Sequence, residues 1–246
     1  MSGYLNFSVV VIVLITIASV SADVPSYIEV CGRRNPKLNE CVEESVRKLR
    51  PKLRAGIPEL EVPSIEPLNV SKIVLSDRKD FRAVATQVSL SGLSEFRIQS
   101  TNLDLEQHRI DFQVLFERVS MKANYDVKAK IVVPIAERGP LDVVTGKIEA
   151  KVMLRFKIVE RGTRRFMYFP SMTTSLDIAD YTVISVENAK DKPFSQAVNS
   201  VLTSSRRDII GQLTPYLEKS ISTTVLEVAN RICKHFTFDE LFPDRP

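Results

Sequence analysis

Residues 119–135 read VSMKANYDVKAKIVVPI, and this stretch decides the fold. Every odd position from Val119 to Ile135 is apolar, whereas the even positions from Ser120 to Lys130 are polar or charged. Alternation with a period of two is typical of a β-strand that has one buried face. The pattern therefore predicts a strand longer than usual, with one dry face.

The same alternation recurs on both sides of that stretch. Even positions are apolar from Ile148 to Ile158. Earlier runs follow the rule at Val84, Thr86, Val88 and Leu90, and at Ile110, Phe112, Val114 and Phe116. Gly92, Gly139-Pro140 and Arg161-Gly162-Thr163 are typical turn sequences. The sequence thus predicts a meander of long antiparallel strands joined by hairpins.

The C-terminal part of the chain changes period. Apolar residues recur every three or four positions from Phe194 to Phe236, which predicts one long helix with a single apolar stripe. The apolar face of such a sheet must be buried against another element, and so must the apolar stripe of such a helix. We therefore expect an α+β fold in which a highly curved antiparallel sheet wraps a long C-terminal helix.

The chain begins with an apolar leader. Its core, Val9 to Ile17, is too short to span a bilayer, and Val20-Ser21-Ala22 supplies the small residues of a cleavage site. Residues 1–22 are therefore predicted to be a signal peptide; the alternative is an uncleaved anchor, because no Lys or Arg precedes the apolar core. The remaining residues, 23–246, are expected to form a single secreted, extracellular domain without stable membrane insertion.

A short amphipathic helix is predicted over residues 38–53, where apolar residues recur at helical spacing. Asn39 is a suitable N-cap, with acidic residues in the first turn. The helix is expected to stop near Arg54, because Gly56 and several prolines punctuate the residues that follow.

Charge and cysteine content exclude several classes of protein. The 34 basic and 30 acidic residues give a net charge of +4, too close to neutral to indicate a nucleic-acid partner. The three cysteines are too few for a disulfide scaffold. In the secretory route Cys31 and Cys41 are expected to pair, which stabilises the fold by about 2 to 3 kcal/mol. Cys233 is then a buried small side chain, or alternatively a reactive thiol or an intermolecular bridge.

Enzyme motifs are missing from the sequence. It contains no Gly-x-Ser-x-Gly elbow, no His-Glu-x-x-His and no phosphate loop. Of the two histidines, His108 lies in a polar connection, and His235 follows the helix as a favourable end charge. We therefore expect no enzyme, no cofactor and no metal site.

Three sequence blocks carry a family resemblance. They are Cys31 to Cys41 with Asn35-Pro36 and Leu38-Asn39 inside it, Gly56-Ile57-Pro58-Glu59-Leu60 followed by Ile65-Glu66-Pro67-Leu68, and Phe238-Asp239-Glu240-Leu241-Phe242. Together, in this order, they resemble the insect takeout and haemolymph juvenile-hormone-binding protein family over essentially the whole mature chain.

The resemblance implies a tubular lipid-binding fold, with a long helix wrapped by a curved sheet and a hydrophobic ligand in an internal tunnel. It also implies that the family's shared disulfide is the one between Cys31 and Cys41. Hormone carriers of the family have a second disulfide, which Cys233 cannot form alone within this chain. The takeout-like branch is therefore the better match.

The inward rows of two strands and the helix stripe are expected to line this tunnel. The predicted wall is Met121, Ala123, Tyr125, Val127, Ala129, Ile131, Val133, Ile148, Val152, Leu154, Phe156, Val198, Leu202, Ile209, Leu213 and Leu217. Tyr125 is the best candidate for a polar anchor, because its hydroxyl lies in an otherwise apolar row. The alternatives are a fully packed core, and for Tyr125 a hydroxyl at the wet rim of the sheet.

The function predicted is a secreted, monomeric carrier of a small hydrophobic ligand, either a juvenile hormone-like terpenoid, a fatty acid or another lipid. The alternative is an extracellular interaction or signalling module with a vestigial tunnel, which acts through an unidentified receptor. The basic run Arg161–Arg165 would then dock an acidic partner or an anionic lipid surface, although such runs are usually solvated hairpin ends.

Asn69-Val70-Ser71 is the only glycosylation sequon in the mature chain. It follows Pro67 at the start of a strand, so we expect Asn69 to be exposed and glycosylated.

Overall fold

The structure is a computed structural model and describes residues 24–79, 81–130, 134–186, 196, 200 and 202–246. The side chains at positions 75, 129, 130, 134, 135 and 186 are not described. The predicted signal peptide, the predicted wall residues Ile131, Val133 and Val198, and the side chain of Ala129 therefore lie outside the described residues.

The described helices are α1 (Leu38–Ala55), α2 (Arg206–Cys233) and α3 (Phe238–Leu241). The strands are β1 (Leu68–Asp77), β2 (Phe81–Ser91), β3 (Arg97–Asp104), β4 (Arg109–Phe116), β5 (Ser120–Lys130), β6 (Pro134–Thr145), β7 (Ile148–Arg161), β8 (Arg164–Ile178) and β9 (Tyr181–Val186). Short 3-10 turns occupy Pro58–Leu60 and Leu93–Glu95.

The strands form two antiparallel sheets. Sheet I has the order β1-β2-β5-β6-β9 and sheet II the order β3-β4-β7-β8. The α+β class with antiparallel sheets and a long C-terminal helix is confirmed, but the helix is not continuous along the predicted stripe, because a turn at Ser205 precedes α2 and α2 ends at Cys233, before Phe236. The predicted single meander is wrong, because the chain passes to the other sheet after each hairpin. Alternation along one strand shows which face is buried but not which strand lies beside it.

The burial pattern confirms the predicted faces of β5 and β7. Ala123 and Tyr125 are buried in β5 while Lys122 and Lys128 are exposed, and the even positions of β7 are the covered ones. Val84 of β2 is buried, but it and Thr86 lie on the face opposite to that of Val88 and Leu90, so the prediction of one row is wrong there. Gln87 has φ +50, and the pairing of β2 with β5 shifts there. This β-bulge exchanges the two faces of the strand.

The turn predicted at Gly139-Pro140 is wrong. Both residues lie within β6, where Gly139 is opposite Tyr125 and Pro140 is opposite Asn124. The stretch predicted to be one strand instead contributes to two, because β5 ends at Lys130 and β6, which pairs antiparallel with it, begins at Pro134. Proline is tolerated in a strand where a missing N–H breaks no ladder bond. The pairing of β6 with β9 covers only residues 141–145, so Pro140 lies just beyond it.

The predicted N-cap of α1 is also wrong. The helix begins at Leu38, so Asn39 lies inside its first turn. Its side-chain oxygen accepts a hydrogen bond from the Leu103 N–H at 2.8 Å. Asn39 therefore ties α1 to β3, the edge strand of sheet II, and this long-range contact replaces the local cap. The predicted end of the helix is correct, since α1 stops at Ala55 before Gly56, which has φ +87.

The larger buried cluster lies where both chain ends meet sheet II, and we call it the terminal core. Its buried members are Ile28, Cys31, Val42, Ile57, Leu60, Val62, Leu103, Ile110, Leu154, Phe156, Met167, Phe169, Cys233, Phe236, Phe238, Leu241 and Phe242. The predicted Cys31–Cys41 disulfide is present, with 5.8 Å between the Cα atoms. All three sequence blocks of the resemblance thus contribute to one packed region.

Cys233 is a free, buried thiol of this core. Burial raises its pKa to about 12, so the thiolate is not populated at neutral pH. This favours the predicted role as a packed side chain over a reactive thiol.

The crossover from β2 to β3 is held by Glu66. Its carboxylate accepts hydrogen bonds from the N–H groups of Gly92 at 2.8 Å and Ser94 at 3.1 Å. Gly92 has φ +94, and a Cβ there would lie 2.5 Å from the Arg118 carbonyl oxygen, so the position requires glycine. The predicted turn at Gly92 is present, but it leads into the other sheet and does not close a hairpin.

Replacing Glu66 with glutamine should destabilise the protein by about 1 to 2 kcal/mol, because charge-assisted hydrogen bonds become neutral ones. Partial burial raises the pKa of Glu66, but the hydrogen bonds from Ser94 and Gly92 outweigh it and hold the pKa below its usual range. The stabilisation is therefore present above the unfolded pKa of about 4.3 and is lost as the pH falls through the folded pKa.

Thermal melting between pH 7 and pH 3 measures both effects. The Glu66→Gln variant should melt lower at pH 7 and converge with the unmodified protein at acidic pH. Glu106→Gln, at an exposed position, is the matched control and should melt as the unmodified protein does. An equal difference at pH 7 and pH 3 would show that the charge of Glu66 contributes nothing.

Candidate functional site

The predicted wall residues fall into separate groups. Leu154 and Phe156 are buried in the terminal core, and Val152 packs against it. Ala123 belongs to a second buried cluster on sheet I, and Met121 packs against that one. The structure thus keeps the two predicted strand rows on different sheets and in different clusters.

The second cluster, which we call the sheet I cluster, is built from small side chains. Its buried members are Ala85, Val88 and Ala123, and Val70, Ile73, Leu90 and Met121 pack against them. The contrast with the terminal core is one of side-chain size, because that core contains five phenylalanines.

Tyr125 lies on the same inward row as Ala123 and is only 6% exposed. Its cross-strand neighbours are Ala85 on β2 and Gly139 on β6, so neither flank carries a large side chain. Side chains directly opposite one another supply most of the packing within a sheet face. The Tyr125 ring therefore stands above its neighbours in the sheet.

The Tyr125 hydroxyl is buried and has no hydrogen-bond partner among the described residues. Burial, and to a smaller extent the charge of Glu137, raises its pKa, so the phenol remains neutral at physiological pH. A buried donor without a partner costs about 1 to 3 kcal/mol. The row predicted from the sequence therefore contains one polar group whose hydrogen bond is not made by the described protein.

Polar side chains hold α2 against the edge of β8. The Asn230 amide donates to the Phe169 carbonyl at 2.9 Å and accepts from the Phe169 N–H at 2.8 Å. The Glu218 carboxylate accepts from the Leu176 N–H at 2.8 Å. These bonds satisfy backbone groups that an edge strand would otherwise leave unpaired.

Sequence reasoning missed this polar seam. Ser222, which exchanges a hydrogen bond of 2.8 Å with the Thr174 hydroxyl, follows Glu218 by four residues, and Asn230 follows Ser222 by eight. Residues at such spacings lie along one side of a helix. The signal was present in the sequence, but the apolar stripe of the same helix obscured it.

The apolar stripe of α2 is not fully covered. Ile209, Leu213 and Leu217 are partly buried, while Ile221 and Val225 remain 37% and 40% exposed. Successive helix residues point about 100° apart, so Ile209 and Leu213 lie on the side of the helix away from Glu218, whereas Ile221 and Val225 lie beside the polar seam. The helix also contacts β1 of sheet I.

The other predicted wall residues are partly buried. Val127 lies two positions beyond Tyr125 on β5, Ile148 begins β7, and the Leu202 carbonyl accepts a hydrogen bond from Tyr181 at 2.6 Å. The inward face of sheet I and the apolar stripe of α2 are together the candidate site.

The described residues offer little for metal binding or for a helical membrane span. Within the described ranges, no group of three or more His, Cys, Asp or Glu side chains is placed to hold a metal ion. No helix of that part of the chain is long and apolar enough to cross a membrane. His108 is exposed, with its ring 5.0 Å from that of Phe156.

The described residues form two antiparallel sheets with a long helix along the edge of one of them. The structure is similar to the crystal structure of Takeout 1 from Epiphyas postvittana, with a TM-score of 0.74 and 15% sequence identity, covering 88% of this chain and 100% of that one. The sequence is 21% identical over 222 residues to a putative beta-carotene-binding protein of Schistocerca gregaria, and 89% of each chain is covered.

The family follows from the sequence match. Residues 9–243 match the model of the haemolymph juvenile hormone binding protein family, and the chain belongs to that family. The resemblance noted from the three sequence blocks is thereby confirmed. Members of the family are binding proteins rather than enzymes. The chain therefore belongs to the class of proteins that bind hydrophobic ligands.

Proposed function

We propose that this protein is a secreted carrier of one small hydrophobic ligand, a terpenoid, a fatty acid or another lipid. The ligand lies between the inward face of sheet I and the apolar stripe of α2. The observation that carries the proposal is the buried, unpartnered hydroxyl of Tyr125 in a face of small side chains. Family membership supports it.

The two clusters have different roles, since the terminal core stabilises the fold and the sheet I cluster borders the ligand space. The terminal core, with five phenylalanines and the disulfide, is packed as a folded domain requires. The buried members of the sheet I cluster are two alanines and one valine, and α2, which contacts β1 of the same sheet, keeps apolar side chains partly exposed. We propose that Val152, Leu154 and Phe156 close the ligand space at the terminal core. Sheet I and α2 line the rest of that space along its long axis.

Apolar burial supplies the binding free energy. At about 0.8 kcal/mol per buried methylene, a chain of about 15 carbons gains on the order of 12 kcal/mol. Association costs about 4 to 15 kcal/mol, so micromolar to nanomolar affinity is expected. Discrimination among apolar chains is weak on this basis, and a hydrogen bond to Tyr125 adds preference for a ligand with one polar group.

The proposal includes secretion and glycosylation. Asn69 is exposed on β1, as its sequon requires, and the family takes its name from haemolymph proteins.

Replacing Ala123 with phenylalanine should reduce binding of a fluorescent fatty acid or terpenoid while the fold is kept, because the ring fills ligand space. In a solid core the same change overpacks and destabilises by about 1 to 3 kcal/mol. Probe titration beside thermal melting separates these results. Lys128→Phe, which puts the same ring on the exposed face of the same strand, should leave probe binding unchanged.

Two results would count against the carrier. One is a large loss of melting temperature in Ala123→Phe together with no probe binding by the unmodified protein. The other is undiminished probe binding by a folded Ala123→Phe variant. The first would favour the alternative, an extracellular interaction module with a vestigial tunnel.

Replacing Tyr125 with phenylalanine should leave the melting temperature of the ligand-free protein unchanged or slightly raised, because an unpartnered donor is removed. Affinity for a fatty-acid probe should fall by about fivefold to tenfold, the equivalent of one hydrogen bond. Affinity for a probe without a polar group should not change.

Tyr181→Phe is the matched control, because the Tyr181 hydroxyl donates to the Leu202 carbonyl at 2.6 Å. That variant should lose about 1 kcal/mol of stability. If Tyr125→Phe loses as much stability as Tyr181→Phe and binds both probes normally, the hydroxyl is not a ligand anchor.

A further inference from the structure

The hairpin of β7 and β8 ends in a two-stranded ribbon that projects beyond the rest of sheet II. The pairing of β4 with β7 stops at Arg109 and Arg155. The pairing of β7 with β8 continues from there to Arg161 and Arg164. We call residues 157–168 the ribbon.

The net charge of the chain is concentrated in this hairpin. Residues 147–178 contain seven basic and three acidic side chains, a net charge of +4, which equals that of the whole chain. The rest of the sequence is therefore neutral. A local excess of one sign attracts a surface of the opposite sign.

The outward face of the ribbon combines cations with exposed apolar side chains. Its cross-strand pairs are Lys157 with Tyr168, Val159 with Phe166, and Arg161 with Arg164. Tyr168 is 47% exposed and Val159 is 37% exposed. No acidic residue occupies a position on this face. The inward neighbour Met167 is buried in the terminal core, so the register of the ribbon is fixed.

The arginines on the inward and outward faces of the ribbon contact different groups. On the inward side Arg165 bonds the Asp239 carboxylate at 2.6 Å. On the outward side Arg161 and Arg164 lie over the Phe166 ring at 5.3 and 5.5 Å. Arg164 also approaches Glu240 at 3.6 Å, whereas Arg161 makes no ion pair with any described residue.

Arg161 and Arg164 are directly opposite one another, and like charges in that position repel. Stacking on the half-buried Phe166 ring and the approach of Glu240 to Arg164 offset part of this repulsion, and Arg161 is left without an ion pair among the described residues. Arg165 on the inward side is bound within the fold, whereas Lys157 and Arg161 on the outward face make no ion pair with any described residue and are available to an external anionic group.

We propose that the outward face of the ribbon docks on an anionic lipid surface. Each Lys or Arg near such a membrane strengthens binding by about fivefold, tyrosine is enriched at the membrane–water interface, and long cationic side chains lay their stems on apolar surface. An acidic protein would match the charges as well, but the cations together with Tyr168 and Val159 at the end of a projecting ribbon match the charged and interfacial layers of a bilayer. The ribbon lies outside the candidate ligand site, so docking goes beyond the carrier function and is separable from it.

Flotation with lipid vesicles tests the docking. The unmodified protein should bind vesicles in which about a third of the lipid is phosphatidylserine and should bind pure phosphatidylcholine vesicles much less. Added salt should weaken binding. The double variant Lys157→Gln/Arg161→Gln should lose about 25-fold in partition coefficient, about fivefold per cation. Tyr168→Ser should weaken the part of the vesicle binding that persists at high salt.

Lys72→Gln/Lys122→Gln is the charge-matched control, because both lysines are exposed and lie on sheet I. Equal loss in the control and in the ribbon variant would overturn the proposal in favour of general charge attraction. Binding to polyglutamate without binding to anionic vesicles would overturn it in favour of an acidic protein partner.

Binding of the fatty-acid probe should be the same in the ribbon variants and the unmodified protein. Failure of docking is thereby distinguishable from failure of the carrier function.

Discussion

The two chain ends close on each other over sheet II, and the rest of the structure depends on that contact. The Cys31 N–H donates to the Leu241 carbonyl at 3.1 Å, which brings the disulfide loop against α3. Asp239 in α3 bonds both Arg33 and Arg165, and the hydrogen bond from Arg165 is the main reason why its pKa lies below the ordinary value. One carboxylate thus joins the N-terminal segment, the β7–β8 hairpin and the C-terminus.

This closure concentrates the large apolar side chains of the molecule in the terminal core. A domain needs a sufficient apolar core, and the terminal core supplies it at one end. Sheet I and the apolar stripe of α2 can then keep small side chains and partly exposed apolar groups. The helix is held by the polar seam to β8 and, at its C-terminal end, by Val228, Ile232 and Cys233 in the terminal core.

The sequence predicted local features better than long-range ones. Period-two alternation correctly identified the inward rows of β5 and β7, because burial follows the pleat of a strand. It did not show that these rows belong to different sheets, since strand pairing is a property of distant residues. Asn39 illustrates the same limit, because a contact with β3 outweighed its capping preference. Gln87 shows a second limit, since one bulge reversed the faces of β2.

The candidate site was predictable to a similar extent. Tyr125 was identified as the polar member of an apolar row, but only the fold shows that alanine and glycine flank it and that its hydroxyl has no partner. The seam residues Glu218 and Asn230 were missed, because the backbone groups they satisfy lie on β8, far away in sequence.

Native mass spectrometry of the protein secreted from eukaryotic cells tests the central claim most directly. The account predicts one apolar molecule of lipid size bound per chain, released by organic solvent and replaced one-for-one by a fatty-acid probe. A mass equal to that of the disulfide-bonded chain with its glycan alone, together with no uptake of the probe after solvent extraction and refolding, would contradict it.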